Sequence, residues 1–331
     1  MSENKTMSIS IEEYRSAANQ IEAQLSKVIV GQQKLVRDLL ITLLAGGNGL
    51  LEGVPGLGKT ILVKTLAEVL DCSYNRVQFT PDLMPADIIG STILVTSEQG
   101  EREFKFEKGP LFANLVLADE INRAAPRTQS ALLEAMQEGS VTVGGSLYQL
   151  PKPFFVLATQ NPIEMEGTYP LPEAQLDRFL FKLEVPYPSE DELVEIAKRT
   201  TGAELPKAEQ VASAGTLMAM QFLSKQVPIA DQVYRYVARL VNATRPDSPE
   251  AIDSVRRHLR VGASPRGVQA VVWGAKVAAL LDNRKAVAIE DVHGVVFPAL
   301  RHRILLNFEA QAEQVNPDEI IAELLRVVPV S

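Results

Sequence analysis

The chain has 331 residues, 46% hydrophobic and 22% charged, which suits two ordinary folded domains. No uninterrupted apolar run approaches the roughly 20 residues that a bilayer-spanning helix needs, and a surplus of 41 acidic over 33 basic residues (net charge −8) argues against a broad nucleic-acid footprint. The lone cysteine, Cys72, excludes an internal disulfide and a cysteine-rich metal site, and the polar stretch Met1–Ser10 lacks the apolar core of a signal peptide, so a reduced cytoplasmic setting is expected.

In chain order, residues 1–7 read as a disordered tail. Ser10 with Glu13 makes a capping-box pair that predicts a helix to about Ser26. Val28–Gln32 is a short apolar run broken by Gly31. A second helix is predicted from Gln33 to about Ala45, ended by Gly46 and Gly47. Gly49–Glu52 reads as a buried strand. It runs into Gly53-Val54-Pro55-Gly56-Leu57-Gly58-Lys59-Thr60, which fits the phosphate-loop pattern G-x-x-x-x-G-K-[ST]. The glycines let successive N–H groups turn inward around a polyphosphate. Lys59 brings a mobile cation to the β- and γ-phosphates, and Thr60 offers a hydroxyl to Mg²⁺. The helical spacing of Leu62, Leu66 and Leu70 predicts a helix after the loop, with its positive dipole end on the phosphates.

Alternation at Val77 and Phe79 predicts a strand over Arg76–Thr80. Ile93, Val95, Phe104 and Phe106 suggest a hairpin around a polar turn at Ser97–Gly100. Leu115–Ala118 is a continuous apolar run, as a strand buried on both faces requires. It ends in Asp119-Glu120, where an α/β sheet binds its ligands. Asp119 is expected to hold Mg²⁺ and Glu120 to polarise an attacking water. A helix over Arg127–Glu138 and a hairpin around Gly144-Gly145-Ser146 follow. Phe154–Ala158 is another buried strand, ending in Thr159-Gln160-Asn161-Pro162. Pro162 biases Asn161 away from helical angles, which leaves its amide at a strand end to orient water or touch the γ-phosphate. Residues 167–178 are loop-rich. Pro186 and Pro188 mark a boundary, beyond which the pattern is helical: Ser189 to about Arg199, a helix through Val233, Val237, Leu240 and Val241, a helix from Ser264-Pro265-Arg266 to about Leu281, and final helices near Ile289 and Pro317. Arg266 stands at a helix start, where the dipole disfavours a cation unless an anion is bound.

These motifs, in this order, resemble an AAA+ ATPase of the MoxR family. The carrying runs are Gly53–Thr60, Leu117–Ala124, Ala158–Pro162, Leu171–Phe179 and Ser264–Arg266. The resemblance implies an α/β AAA+ P-loop core, a parallel sheet flanked by helices, over residues 1–187, and a smaller all-α lid over 188–331. It implies ATP as substrate with Mg²⁺ held by Thr60 and Asp119. Val54, Pro55, Gly56, Leu57, Gly58, Lys59, Thr60 and Ile61 would surround the phosphates, and Val30, Gly31 and Gln32 would lie against the adenine. Lys59 and Thr60 match Walker A, Asp119 and Glu120 Walker B, and Asn161 sensor 1. Arg178 matches the arginine finger that reaches a neighbour's γ-phosphate. Arg266 matches sensor 2, acting within its own subunit, and Arg123 is a second candidate for a contact in trans. The hairpins resemble the helix-2 insert and the pre-sensor-1 hairpin. The family implies a homo-oligomeric ring, a hexamer, remodelling a client protein with a von Willebrand factor A-domain partner. A nucleic-acid-stimulated motor and a metal-chelatase-like motor subunit are the alternatives.

Overall fold

The computed structural model describes residues 9–96, 102–161, 167–202 and 205–330. The predicted turn at Ser97–Gly100, the N-terminal tail and Pro162 lie outside the described residues. Helix α1 (Ile11–Val28) begins with the expected reciprocal cap between Ser10 and Glu13. Helix α2 (Gln33–Leu44), strand β1 (Gly49–Glu52) and helix α3 (Lys59–Val69) follow, so the phosphate-loop pattern does bridge a strand and a helix. Strand β2 (Tyr74–Gln78), the short helix α4 (Pro85–Ile89) and an antiparallel hairpin, β3 (Gly90–Thr96) with β4 (Arg102–Lys108), come next. Strand β5 (Leu115–Asp119), helix α5 (Pro126–Glu138), the hairpin β6 (Ser140–Val143) with β7 (Ser146–Gln149), strand β8 (Phe155–Gln160), helix α6 (Glu173–Leu176) and strand β9 (Phe181–Glu184) complete the α/β portion.

The sheet has five parallel strands in the order β2-β5-β8-β1-β9. Its two faces are visible residue by residue. Leu115, Leu117, Phe155, Leu157 and Leu51 pack with α1, α2 and α3 on one side. Val116, Ala118, Val156, Ala158 and Leu50 pack with α4, α5 and the hairpin residue Val141 on the other. Alternation sends neighbours to opposite faces, so only a run apolar at every position can serve both. Each fully buried leucine here contributes on the order of 1.5–3 kcal/mol.

Helices dominate the remainder: α7 (Glu190–Thr200), α8 (Ala214–Gln226), α9 (Asp231–Ala243), α10 (Asp253–His258), α11 (Pro265–Leu281), α12 (Ile289–Leu300), α13 (Phe308–Ala312) and α14 (Pro317–Val327). A ribbon of two very short strands, β10 (Leu259–Val261) and β11 (Leu305–Leu306), is added among them. Helix α11 is the hub of this half and packs against α12, α9, α8, α1 and α2. It also lies directly on the sheet. A Cβ at Gly274 would stand 2.6 Å from the Phe181 ring on β9, so glycine is what permits that approach.

Candidate active site

Parallel order brings the carboxyl ends of β1, β8 and β5 side by side. Glu52 pairs with Gln160, and Gly53 N–H donates to Gln160 O at 3.3 Å, so the phosphate loop starts beside the segment that carries Asn161. Gly56 and Gly58 have φ of +88° and +79°, the left-handed region that a side chain disfavours. Gly58 caps α3, whose first residue is Lys59. Lys59 Nζ donates to Gly53 O at 2.7 Å across its own loop. Thr60 is half-buried at the start of α3, while Pro55, Gly56 and Ile61 are exposed.

One strand over, Asp119 is buried, and a buried carboxylate has to be hydrogen-bonded. Its Oδ2 accepts from Arg76 Nη2 at 2.7 Å and its Oδ1 from Thr159 Oγ1 at 2.6 Å. Thr159 Oγ1 in turn accepts the Glu120 N–H at 2.8 Å. Glu120 itself takes left-handed backbone angles (φ 56°), which swing its side chain off the strand line. Its Oε2 accepts from Gln78 Nε2 at 2.8 Å and from Arg123 Nη1 at 3.2 Å. Arg123 thus meets Glu120 of its own chain. Asn161 follows β8 and is buried.

A cavity of about 630 Å³ opens beside the loop, lined among others by Gln32, Val54, Leu57, Tyr187 and Arg301. Gly31 and Gln32 both have positive φ (63° and 55°) and form the turn into α2. The space where a Gly31 side chain would stand is filled by the carboxylate of Glu192, the residue that closes the reciprocal cap of α7 with Ser189. Asp38 faces the same cavity. Burial raises its carboxyl from the ordinary range, and Lys34 at 2.6 Å pulls the other way.

The arginines lie at the other end of the sheet. Leu180 N–H donates to Asn48 O at 2.7 Å, and Phe181 pairs with Gly49, so Asp177 and Arg178 precede the amino end of β9. Arg178 is exposed and donates to Leu133 O at 3.2 Å. Arg266, in the first turn of α11, has Nη1 3.6 Å from Asp177 Oδ2. Both guanidiniums line one cavity of about 250 Å³, with Asn48, Gln137 and Trp273. The structure therefore brings Arg178 and Arg266 together. Within one chain it does not bring either to the phosphate loop, since the length of β1 intervenes. The anion beside the Arg266 helix start is Asp177.

Residues 48–181 match the ATPase family associated with various cellular activities (AAA), and residues 253–324 match an AAA lid domain. Over 305 residues the chain is 46% identical to Chaperone MoxR1 of Mycobacterium tuberculosis, covering 92% of this chain and 80% of that one. The chain belongs to the MoxR family of AAA+ ATPases. It is also 33% identical to Protein MoxR of Paracoccus denitrificans, covering 98% and 99% of the two chains. The crystal structure of an ATPase candidate from Cytophaga hutchinsonii matches with a TM-score of 0.89 at 39% identity, over 97% of each chain. Membership of this family carries ATP binding and hydrolysis with it. The helical C-terminal portion of this MoxR-family chain is its lid.

Four residues at these two ends escaped the motif reading. Arg76, Gln78 and Thr159 hold the acidic pair, and Arg303, deep in the lid, grips the segment that carries Arg178. Thr159 precedes Gln160-Asn161 in a run already singled out, so its position was a usable signal. Arg303 had none.

Proposed function

We propose that this chain is a Mg²⁺-dependent ATPase that works as a homo-oligomeric ring, a hexamer, in which each nucleotide lies between two copies. One observation carries this reading. The phosphate loop and acidic pair stand at the carboxyl end of the sheet, whereas Arg178 and Arg266 stand at its amino end. A cation at the far end of the same chain serves hydrolysis only if it is lent to another copy. We therefore assign both Arg178 and Arg266 to a neighbour's triphosphate, in place of the within-subunit role expected for Arg266.

The residues fit the nucleotide and the ion. Lys59 already spans the loop to a carbonyl and can exchange that partner for phosphate oxygens. Thr60 and Asp119 offer hard oxygen donors, and no group of three His, Cys, Asp or Glu able to hold a metal ion lies among the described residues. That suits Mg²⁺, which keeps waters and takes the rest of its ligands from phosphates. When bound, the ion would neutralise charge on the β- and γ-phosphates. Thr159 and Arg76 fix the Asp119 carboxylate, Glu120 takes the proton of the attacking water, and Asn161 orients that water. Val30, Gly31 and Gln32, with Val54 and Leu57, border the adenine. Residues 1–187 form the core and 188–331 the lid.

The similarity to Chaperone MoxR1 supports remodelling of a client protein, and the family resemblance adds a von Willebrand factor A-domain partner. The two hairpins expose Leu94, Phe104 (79% accessible) and Leu147, side chains suited to gripping a polypeptide. No described helix is long and apolar enough to cross a membrane.

Mixing two inactive variants tests the shared site. Glu120→Gln removes the base but leaves Arg178 to lend, and Arg178→Ala does the reverse. Co-assembled rings should recover turnover well above either variant alone. A mixture no more active than its parts would reject the shared site.

A further inference from the structure

The segment that carries Arg178 is held by an unusual density of bonds from a single lid side chain. Arg303 is only 6% exposed and lies beyond the end of α12. Its Nε donates to Asp177 Oδ1 at 2.8 Å. Its Nη2 donates to Asp177 O at 3.1 Å and Phe179 O at 2.7 Å, and its Nη1 to Leu180 O at 3.0 Å and to Ala299 O. The other oxygen of Asp177 faces α11: Oδ2 accepts from Ser264 Oγ at 2.9 Å and lies 3.6 Å from Arg266 Nη1. Ser264 Oγ also accepts the Arg266 N–H at 3.1 Å and caps that helix. Burial pulls the Arg303 guanidinium down to about 10, so it keeps its charge at neutral pH.

We propose that Arg303 and Asp177 are a positioning pair that locks Arg178 and Arg266 into one rigid unit, so that both cations reach an anionic group of a second copy at a fixed spacing. Asp177 and Arg303 line the same cavity as the two cations, and their part is to hold those guanidiniums in place. Asp177 is the joint: one carboxylate oxygen is tied to the lid core, and the other is tied to the helix start that bears Arg266. Arg303 immobilises the backbone on either side of Arg178 by taking the carbonyls of residues 177, 179 and 180 into its fork. A guanidinium removed from alignment by about 1 Å loses on the order of 10²-fold in rate, although nucleotide still binds. The inference rests on the reading that Arg178 and Arg266 serve a neighbour's triphosphate.

The experiment is steady-state ATPase kinetics on assembled full-length Asp177→Asn, with Arg303→Lys as a second variant, each also combined with Arg178→Lys. Asn keeps the size and one acceptor oxygen of Asp177, so folding and assembly are checked by melting temperature and gel filtration. The expected result for Asp177→Asn is a kcat reduced about 10²-fold, a KM for ATP within about threefold of the parent, and an intact ring. In the Arg178→Lys background the same change should add less than about threefold, because the group being positioned is already impaired. Unchanged kcat in an intact Asp177→Asn ring would overturn the pair, as would a full multiplicative loss on top of Arg178→Lys. If Arg303→Lys does not fold, Asp177→Asn decides alone. Normal turnover by Arg178→Ala would instead overturn the shared site itself, which separates the two failures.

Discussion

The two ends of one parallel sheet are built by different means. At the carboxyl end the contacts are local in the fold: Lys59 to Gly53, Thr159 to Asp119, and Gln78 to Glu120 all join adjacent strands or one loop. At the amino end the contacts cross between sheet and lid, as when Arg303 holds Asp177 from 126 residues away. The first end carries the phosphate loop and the acidic pair on core strands, with lid residues such as Arg301 closing the cavity beside them. The second is a cationic surface that exists only where the lid docks. Under the function proposed above, the difference places chemistry and its activation at opposite ends of one sheet, so a change in how Arg303 seats on Asp177 would reach turnover through the arginines.

The largest expected effect comes from breaking the amino end. Arg178→Ala should lower kcat by about 10³-fold or more, within the range for arginine fingers, while ATP affinity stays within a few-fold. Arg266→Ala should act in the same direction. Equilibrium binding of a fluorescent ATP analogue beside steady-state turnover reads both quantities, and a Kd that collapses with kcat would mean the two ends are not separable. A middle-sized effect sharpens the other end. Thr159→Val or Arg76→Ala should raise the Mg²⁺ concentration needed for half-maximal activity by about 10–100-fold, because the first strips one hydrogen bond from Asp119 and the second strips two. An unchanged Mg²⁺ requirement would remove Asp119 from the ion.

The smallest effect touches stability alone. His302 is buried at the amino end with Nε2 3.1 Å from Phe179 O. Desolvation first, and then the Arg303 charge, hold it well below the ordinary value of 6.5. The unfolded chain therefore binds a proton that the folded chain refuses. Stability from this group is complete above pH 6.5 and falls by about 1.4 kcal/mol per pH unit below it. Denaturant titrations of the parent and His302→Gln between pH 6.5 and 5 should converge as pH drops. Parallel curves would show that His302 titrates freely.

Most of the carboxyl end was legible in the sequence because its signals are short-range. A glycine-rich turn, an apolar run ending in two acids, and a capping box each state their local structure without reference to the rest of the chain. Strand order was not legible, and with it went the partners of Asp119: Arg76 becomes its neighbour only because β2 pairs with β5. Helix α8 lies where no motif offered a handle, and β10 and β11 are too short to show alternation. Arg303 looked like any arginine near a helix end. Its role depends on which carbonyls the lid meets on docking, and no periodicity encodes that.

A final consequence follows from the missing side chain at residue 31. The Glu192 carboxylate occupies that vacancy while also receiving the Ser189 N–H at 2.7 Å. A methyl group there would have to evict it, and α7 would then start with a bare amide. The turn bordering the cavity beside the phosphate loop and the first helix after the prolines are thus fastened by an absence, and a single added carbon would loosen both at once.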